Sequence, residues 1–332
     1  MKGKIFLILT LLFTTIFYGQ AYELYKDTLL NVATSPDKKV KIYTYEYPNE
    51  GTMSSYSNII EFRENGKLYK FKGSLHKFLG EEGEDYIHDY VEKIYSIRNQ
   101  KGETIYYALR HYKSWGNYAT DAITAFTLKK GKGYPNKIFK TKDGKLTHDI
   151  SICYEVSDWF FRIKVKDNWD RLFYTKNHNR TIYWMRNNES EGRETDVDLE
   201  GGMEKLTGAY DQYVFDGNIF RFKRAIGDPN IYPSIQNYAV LISEFKTRGY
   251  RIRLHRLKDG GLQYICWKKS RPVTSKPDLI LNNGVKKKNL YIFTTKDGYE
   301  YSVNSIFHDA ELKVKKNGKT LLQQKCIPEY KF

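Results

Sequence analysis

The sequence lacks the motifs that many enzyme classes require. It has only three cysteines in 332 residues and no CxxC pair, which argues against a thiol redox site and a cysteine-rich zinc site. It also has no GxSxG nucleophile elbow, no GxxxxGKS/T phosphate loop and no HExxH zinc motif. These absences favour a non-enzymatic role, and we expect neither a metal nor a cofactor.

Long hydrophobic runs are equally scarce. The one clear run lies in MKGKIFLILTLLFTTIFYGQ (1–20), where Lys2 and Lys4 precede the apolar stretch and Gly19 stands at a suitable cleavage point. This pattern predicts a secretory signal peptide, since the run is short for a membrane span. No later segment approaches a span. We therefore expect an exported chain, periplasmic or extracellular, without a transmembrane segment after cleavage.

Aromatic residues are abundant, at 16% of the chain with 29 Tyr and 18 Phe, and this composition favours β-structure. Segments such as IIEFRENGKLYKF and LKVKKNGKTLL indicate hairpins, because Asn-Gly suits the turn whose twist matches the flanking strands. In VKIYTYEY (40–47), alternation should place the valine, isoleucine and threonine on one face and the three tyrosines on the other, partly buried. The fold class predicted is all-β.

Turn signals recur along the chain. Glycines that follow Asn, Asp or Lys occur at Gly66, Gly102, Gly144, Gly217, Gly260 and Gly298. Most intervals are about 40 residues, and KNHNR (176–180) could supply a turn inside the one that is about twice as long. The spacing predicts tandem antiparallel four-stranded units, like the blades of a propeller. Two β-sandwich domains are the alternative.

Positive charge is concentrated towards the C-terminus. The formal net charge is +16, and from residue 236 onwards there are 20 Lys and Arg against 8 Asp and Glu. Because GDPNIYPS (227–234) looks like a connector, we predict a repeated β-domain over 21–234 and a basic β-module over 235–332. This module is either a docking face for an anionic surface or a solvated lysine-rich face. Since lysine far outnumbers arginine, we do not expect nucleic-acid recognition.

Four segments carry a resemblance to known proteins: SPDKKVKIYTYEY, NYATDAITAFTLKKGKG, SKPDLILNNG and the closing VKKNGKTLLQQKC. With them the chain resembles a group of exported, β-rich bacterial proteins that have no assigned activity. The resemblance spans most of the chain beyond the first twenty residues. It implies export and repeated β-architecture, and it transfers no catalytic residue.

Three aromatic residues are the candidate ligand-binding positions. Trp115 and Tyr118 lie in the polar stretch YKSWGNYAT, and Trp169 lies between carboxylates in KDNWDR. Flat rings on a rigid β-scaffold suit stacking against sugars or peptides. An exported chain can also form disulfides, and Cys266 and Cys326 would close a loop of about 60 residues. The alternative is that the cysteines are small buried hydrophobic residues.

Acidic residues offer further candidates. Aspartate follows His88, His148 and His308, but neighbours on a strand point to opposite faces, so we interpret these pairs as surface turn residues. The acidic DVDLEGG (196–202) departs from the calcium-loop pattern and is interpreted as an exposed loop. A glycosidase would need two carboxylates about 5 to 10 Å apart, such as those beside Trp169 could provide.

These features together predict an exported, non-catalytic binding or structural protein of the cell envelope. Its ligand would be a glycan, a peptide or a protein. The alternative function is a carbohydrate-active hydrolase with a carboxylate pair on the β-scaffold, which two carboxylates opposed across one aromatic cleft would indicate.

Overall fold

The computed structural model is built almost entirely of β-strands. It describes residues 28–47, 55–81, 89–113, 118–155, 172–187, 206–304 and 310–330. The helical segments that lie wholly within these ranges are a one-turn α-helix, α1 (Leu75–Phe78), and a 3₁₀ helix (Pro233–Ile235). The all-β prediction is therefore confirmed. The predicted signal peptide, 1–20, lies outside the described residues, and no described helix has the length and apolar character needed to cross a membrane.

The chain divides into two compact units. The first comprises residues up to Lys137 together with Thr147–Ser151, and the second comprises Ile138–Leu146 and Ile152–Phe332.

The first unit contains two sheets. Sheet A is the meander β1 (Thr28–Thr34), β2 (Val40–Tyr47), β3 (Ser55–Glu64) and β4 (Lys67–Lys72). Sheet B is formed by β5 (Tyr90–Arg98), β6 (Thr104–Lys113) and β7 (Tyr118–Lys129), with β8 (Lys132–Pro135) and β11 (Asp149–Glu155) also in the sheet. Both sheets contribute to one core, as the two layers of a β-sandwich do.

Strand β2 shows how the sequence pattern produces this core. Val40 and Ile42 are fully buried on one face, while Tyr43 and Tyr45 on the other face are half-buried. The Tyr43 hydroxyl donates to Glu61 Oε2 at 3.2 Å, so the ring packs while its polar tip is satisfied. Each fully buried aliphatic side chain contributes about 1.5 to 3 kcal/mol. Tyr43 and Tyr45 are thus partly buried, as the alternation predicts, and the side chain of Tyr47 lies outside the description.

Helix α1 follows directly after sheet A and is held by packing more than by its length. Ser74 caps its N-terminus by accepting from the Lys77 backbone N–H at 3.3 Å. Leu75 and Phe78 are buried in the core, which leaves His76 on the half-exposed side. This single turn therefore positions one imidazole beside sheet B.

The second unit contains three sheets. Sheet C has the order β10-β9-β15-β14-β13-β12, where the strands are β9 (Phe139–Lys140), β10 (Leu146–Thr147), β12 (Phe173–Lys176), β13 (Thr181–Asn187), β14 (Leu206–Phe215) and β15 (Phe220–Ile226). Sheet D has the order β19-β18-β17-β16-β25, where the strands are β16 (Tyr238–Lys246), β17 (Tyr250–Leu257), β18 (Leu262–Lys268), β19 (Leu279–Asn282) and β25 (Ile327–Tyr330). Sheet E runs in chain order through β20 (Val285–Lys287), β21 (Leu290–Thr294), β22 (Tyr299–Asn304), β23 (Glu311–Lys316) and β24 (Lys319–Lys325).

Sheet D is covered on both faces. On β18, Tyr264 and Cys266 enter a core shared with sheet E, whereas Ile265 and Trp267 enter a second core shared with Ala209 of sheet C. The run LQYICWK is nearly continuous in hydrophobic residues because neither of its faces meets water. The second unit is therefore layered, with sheet D in the middle.

The turn signals are confirmed as turns. All six marked glycines have positive φ angles: Gly66, Gly102, Gly144, Gly217, Gly260 and Gly298. The KNHNR segment also turns, since Asn177, His178 and Asn179 have positive φ between β12 and β13. The sheets contain four to six strands, and none of them closes into a barrel or a propeller ring over the residues that the structure describes.

The predicted domain boundary after residue 234 lies inside the second unit. The connector around it is tied down by backbone and side-chain bonds. Gly227 N–H donates to Gln236 O at 2.7 Å, and the Tyr238 hydroxyl donates to Gly208 O and accepts from Asp228 N–H, each at 2.8 Å. The two prolines of this segment indicated a connector between modules. In the structure its hydrogen bonds join sheet C to sheet D.

The basic residues of sheet E are interleaved with acidic ones. On β23, Lys313 and Lys315 alternate with the core residues Leu312 and Val314. Lys315 Nζ lies 3.4 Å from the carboxylate of Glu300 on β22. Such pairing favours the solvated lysine-rich face over a uniformly positive surface, and docking on an anionic surface stays a prediction.

Candidate functional site

The aromatic residues predicted to bind a ligand are not placed by the structure. Trp115 and Trp169 lie outside the described residues. Tyr118 is the first residue of β7, but its side chain is also outside the description. The predicted stacking site formed by these three residues therefore stays a prediction.

The cysteines are placed, and none of the three forms a disulfide. Cys266 and Cys326 are buried in the same core of the second unit, and the predicted disulfide between them is not formed in the structure. Burial raises the pKa of Cys266 to about 11 and that of Cys326 to about 12. Both therefore behave as small buried hydrophobic residues with little thiolate character.

A buried ion cluster lies in the first unit around Arg110 of β6. Its guanidinium is 2% exposed and binds two carboxylates, that of Asp89 through Nη1 and that of Asp149 through Nη2 at 2.9 Å. Asp89 is itself fully buried. The interpretation of these His-Asp pairs as surface turn residues is therefore wrong at Asp89 and Asp149, because a buried guanidinium draws both carboxylates inward.

Two histidines extend this cluster to the surface. Arg110 Nη1–H donates to His76 Nε2 at 2.9 Å, and since arginine cannot accept, the proton of His76 is on Nδ1. His76 Nδ1 donates to Glu81 Oε2 at 2.6 Å, and His148 Nε2 lies 2.7 Å from Glu81 Oε1. Every carboxylate here already has a cationic or N–H partner.

A second buried ion pair lies at a β-bulge beside this cluster. On β5 one extra residue, Glu92, interrupts the register with β6, and its carboxylate reaches His111 Nε2 at 2.6 Å. His111 Nδ1 contacts Asp121 of β7, the residue directly opposite it. Burial alone would lower the pKa of His111, but Asp121 and Glu92 raise it to about 9. The imidazole is therefore cationic at neutral pH.

The second unit contains an open polar cleft of about 310 Å³. It lies between the 3₁₀ helix and one end of sheet D, and Ile235 and Leu257 supply its apolar wall. Its polar lining residues are Ser234, Asn237, Lys258, Asp259, Gln263 and Asn282. The cleft is at the small end of the range for ligand pockets, which is about 300 to 1,000 Å³.

The turn between β17 and β18 shapes one wall of this cleft. In the KDGG sequence, Gly260 has φ +88° and its N–H donates to Leu257 O at 3.0 Å. Asp259 Oδ1 accepts from Gly261 N–H at 2.9 Å, an Asx-type bond that fixes the carboxylate. A glycine is required at 260 because side-chain-bearing residues rarely adopt this φ. The turn signal in the sequence therefore marks one wall of the site.

Two other lining residues, Gln263 and Asn282, belong to a row of three polar side chains on adjacent strands of sheet D. His255 on β17 is paired with Gln263 on β18, which in turn is paired with Asn282 on β19. His255 Nδ1 lies 3.3 Å from Gln263 Oε1, and Gln263 Nε2 donates to Asn282 Oδ1 at 2.9 Å. The register of the sheet thus produces a hydrogen-bonded relay that ends at the cleft.

The inner end of the relay is rigid. His255 is fully buried and stacks on Tyr238, with ring centroids 3.9 Å apart. Burial and the nearby Arg253 guanidinium hold the pKa of His255 well below its usual value, so the ring is neutral. The amide of Gln263 is consequently held by one buried partner and one partner at the cleft.

Comparison with known proteins does not place this chain in a family. The sequence matches no protein-family model and no curated protein. Among the described residues, no three His, Cys, Asp or Glu side chains are grouped to hold a metal ion.

Sequence reasoning missed the residues of the cleft. Its walls come from residues 234–237, the turn at 257–259 and single positions on β18 and β19. The Asp-Gly turn signal marked one of these pieces. Nothing in the sequence indicated that Gln263 and Asn282 would be paired across strands, because that depends on the register of sheet D.

Proposed function

We propose that the protein is an exported, non-catalytic binding protein of the cell envelope, whose polar cleft holds one residue of a glycan. The observation that carries this proposal is the fixed row of amides at the wall of the cleft. Hydroxyl groups both donate and accept, so they match a lining that contains three amide side chains and one hydroxyl. The small apolar wall suits the C–H face of a sugar ring.

The charges at the cleft favour a neutral ligand over the charged ends of a peptide. One cation and one anion line it, so the lining is neutral in sum. Lys258 Nζ donates to Ala225 O at 3.1 Å, and the Asp259 carboxylate accepts from Gly261 N–H. Both charges therefore have protein partners. A free carboxylate or ammonium of a peptide would have to compete with those partners.

The alternative function, a carbohydrate-active hydrolase, has less support. It requires two carboxylates opposed across one cleft. Among the residues that line this cleft, Asp259 supplies the one carboxylate, and the lining includes no second acid. The buried carboxylates of the first unit are bound to Arg110 and are not available as a general acid and base.

The proposal is tested by applying the mature chain to glycan and peptide arrays and measuring hits by calorimetry. We expect glycan binding that weakens at least about tenfold in Asn282→Ala, since a hydrogen bond at the cleft is lost. Asn136→Ala, a half-exposed asparagine outside the cleft, is the matched control and should bind like wild type. Binding of peptides alone, or of nothing on either array, would refute the proposal.

Export is tested separately. Expression of the full chain with its first twenty residues should release a product whose N-terminus lies near Gln20 or Ala21. Recovery of the chain only inside the cell with Met1 intact would contradict export. It would not bear on the cleft.

A further inference from the structure

The hydrogen bonds of the relay from His255 through Gln263 to Asn282 run in one donor-to-acceptor direction. This direction determines which chemical group of a ligand the cleft can bind. We propose that His255 is a positioning residue that orients the amides of Gln263 and Asn282, so that Asn282 presents N–H donors and the ligand must supply a carbonyl or carboxylate oxygen. This inference rests on the proposed function, because it concerns the same cleft. It goes further by naming the chemical group that the cleft recognises.

The first step is the position of the proton on His255. The ring is neutral, so one nitrogen donates and the other accepts. Nδ1 faces Gln263 Oε1 at 3.3 Å, and a carbonyl oxygen can only accept. Nδ1 therefore carries the proton. His255 Nε2 has no hydrogen-bond partner, so what remains unpaired in the core is a lone pair.

The reverse direction would be less stable. If Nδ1 accepted from the Gln263 amide, the proton would sit on Nε2, which is buried without an acceptor. Unpaired buried N–H donors are rarer in proteins than under-satisfied acceptors. Since His255 is 0% exposed, water cannot take the place of that acceptor without opening the core. The buried end thus selects one direction for the whole relay.

The second step carries the orientation to the cleft. Because Gln263 Oε1 faces the imidazole, its Nε2 faces outward and donates to Asn282 Oδ1 at 2.9 Å. Asn282 therefore uses its oxygen within the protein. The N–H groups of its amide are left for the cleft, where the side chain is exposed.

The ligand class follows from this geometry. A group that only accepts pairs with the Asn282 N–H groups. The neutral carbonyl of an acetamido substituent does so without bringing a charge, whereas a carboxylate also brings a charge into a lining that is neutral in sum. A group that only donates, such as an ammonium, would place its own N–H groups against those of Asn282, so its binding is disfavoured. A hydroxyl can adopt either role and should be intermediate. The cleft should therefore rank sugars by whether they offer a substituent that accepts or one that only donates hydrogen bonds.

The tautomer of His255 can be measured without any ligand. Long-range proton–nitrogen NMR on the folded chain distinguishes a protonated Nδ1 from a protonated Nε2 by their nitrogen chemical shifts. We expect protonated Nδ1 and unprotonated Nε2 at neutral pH. A protonated Nε2 would reverse the relay and overturn the inference.

The ligand preference is measured by calorimetry with four probes: N-acetylglucosamine, glucuronic acid, glucose and glucosamine. We expect at least one of the first two to bind about tenfold more tightly than glucosamine, with glucose between them. If the acetamido sugar is preferred, the recognised group is an amide carbonyl, and if the acid is preferred, it is a carboxylate. Glucosamine binding as tightly as both, or more tightly, overturns the inference while the proposed function stands. Binding of none of the four counts against the proposed function itself.

Two variants separate positioning from simple structural support. Asn282→Asp replaces the N–H donors with an acceptor of the same shape, so glucosamine should become the preferred probe. His255→Phe keeps a ring against Tyr238 but removes the Nδ1 donor, so the affinity ratio between the acetamido sugar and glucosamine should fall towards one. A merely structural role for His255 would weaken all four probes equally and leave that ratio unchanged. An unchanged ratio would overturn the inference.

Discussion

The ion pair at the β-bulge makes the stability of the first unit depend on pH in a direction that can be calculated. His111 lies between Glu92 and Asp121, and these two carboxylates raise its pKa to about 9 although burial opposes the charge. In the unfolded chain the same imidazole has a pKa of about 6.5. Between pH 6.5 and pH 9 the folded chain therefore keeps a proton on His111 that the unfolded chain releases. This difference in proton binding favours the folded state.

The size of this effect follows from the difference in pKa. Each pKa unit corresponds to about 1.4 kcal/mol, so the His111 proton stabilises the folded state by about 3 kcal/mol below pH 6.5. Because the folded pKa is the higher of the two, this contribution is complete below the unfolded pKa. It is lost as the pH rises through 9. The measurements should stop at pH 9, because tyrosine side chains titrate above that pH.

The assay is urea unfolding of wild type and His111→Gln at pH 6, 7.5 and 9. The two buried cysteines, whose pKa values burial also raises, lower the stability of the folded chain only as the pH passes the unfolded thiol pKa of about 8.5. The variant carries the same cysteines and supplies the baseline that removes their contribution at pH 9. We expect the stability difference between the two proteins to shrink by about 3 kcal/mol from pH 6 to pH 9. His178→Gln, at an exposed turn, should follow the wild-type curve.

The reasoning is refuted by either of two results. The imidazole resonance of His111 in the folded chain should titrate near pH 9, and a midpoint below 6.5 would mean that burial outweighs the two carboxylates. A stability difference that stays constant from pH 6 to pH 9 would mean that the pair is neutral throughout.

Two further substitutions test packing and charge burial. In Gly284→Ala the new Cβ would lie 2.2 Å from Phe293 Cε1, so urea unfolding should show a loss of about 1 to 3 kcal/mol, whereas Gly249→Ala, which meets nothing within 4 Å, should stay within about 0.5 kcal/mol. Equal losses would contradict the close approach. Arg110→Leu leaves the Asp89 carboxylate buried without its cation and should cost about 3 to 5 kcal/mol by the same method, and a loss under about 1 kcal/mol would show that the pair is not needed.

The strands and turns could be predicted because their signals are local. A glycine after Asn or Asp is constrained by its own φ angle, and alternation within a strand such as β2 reflects a two-residue period. Sheet D was harder to interpret, because its strands are covered on both faces and the alternation is lost. The connector at 227–234 was misleading for a related reason. Its prolines are visible in the sequence, but its bonds to Gln236 and Tyr238 are tertiary.

The polar sites could not be predicted because they depend on pairing between distant strands. Asp89, Arg110 and Asp149 are far apart in the chain and meet only when sheet B forms. An isolated arginine or aspartate in a sequence is usually exposed, so the sequence predicts a surface position for these residues. That prediction is wrong here. The same holds for Gln263 and Asn282, whose contact is set by register alone.

The middle position of sheet D has a consequence for how the second unit opens. Its strands form a wall of both cores, so the backbone amides from Tyr264 to Trp267 are shielded from either side. Loss of sheet C or of sheet E alone would leave one side of that wall covered. Hydrogen exchange at these amides should therefore be the slowest in the unit and should require concerted opening of all three layers.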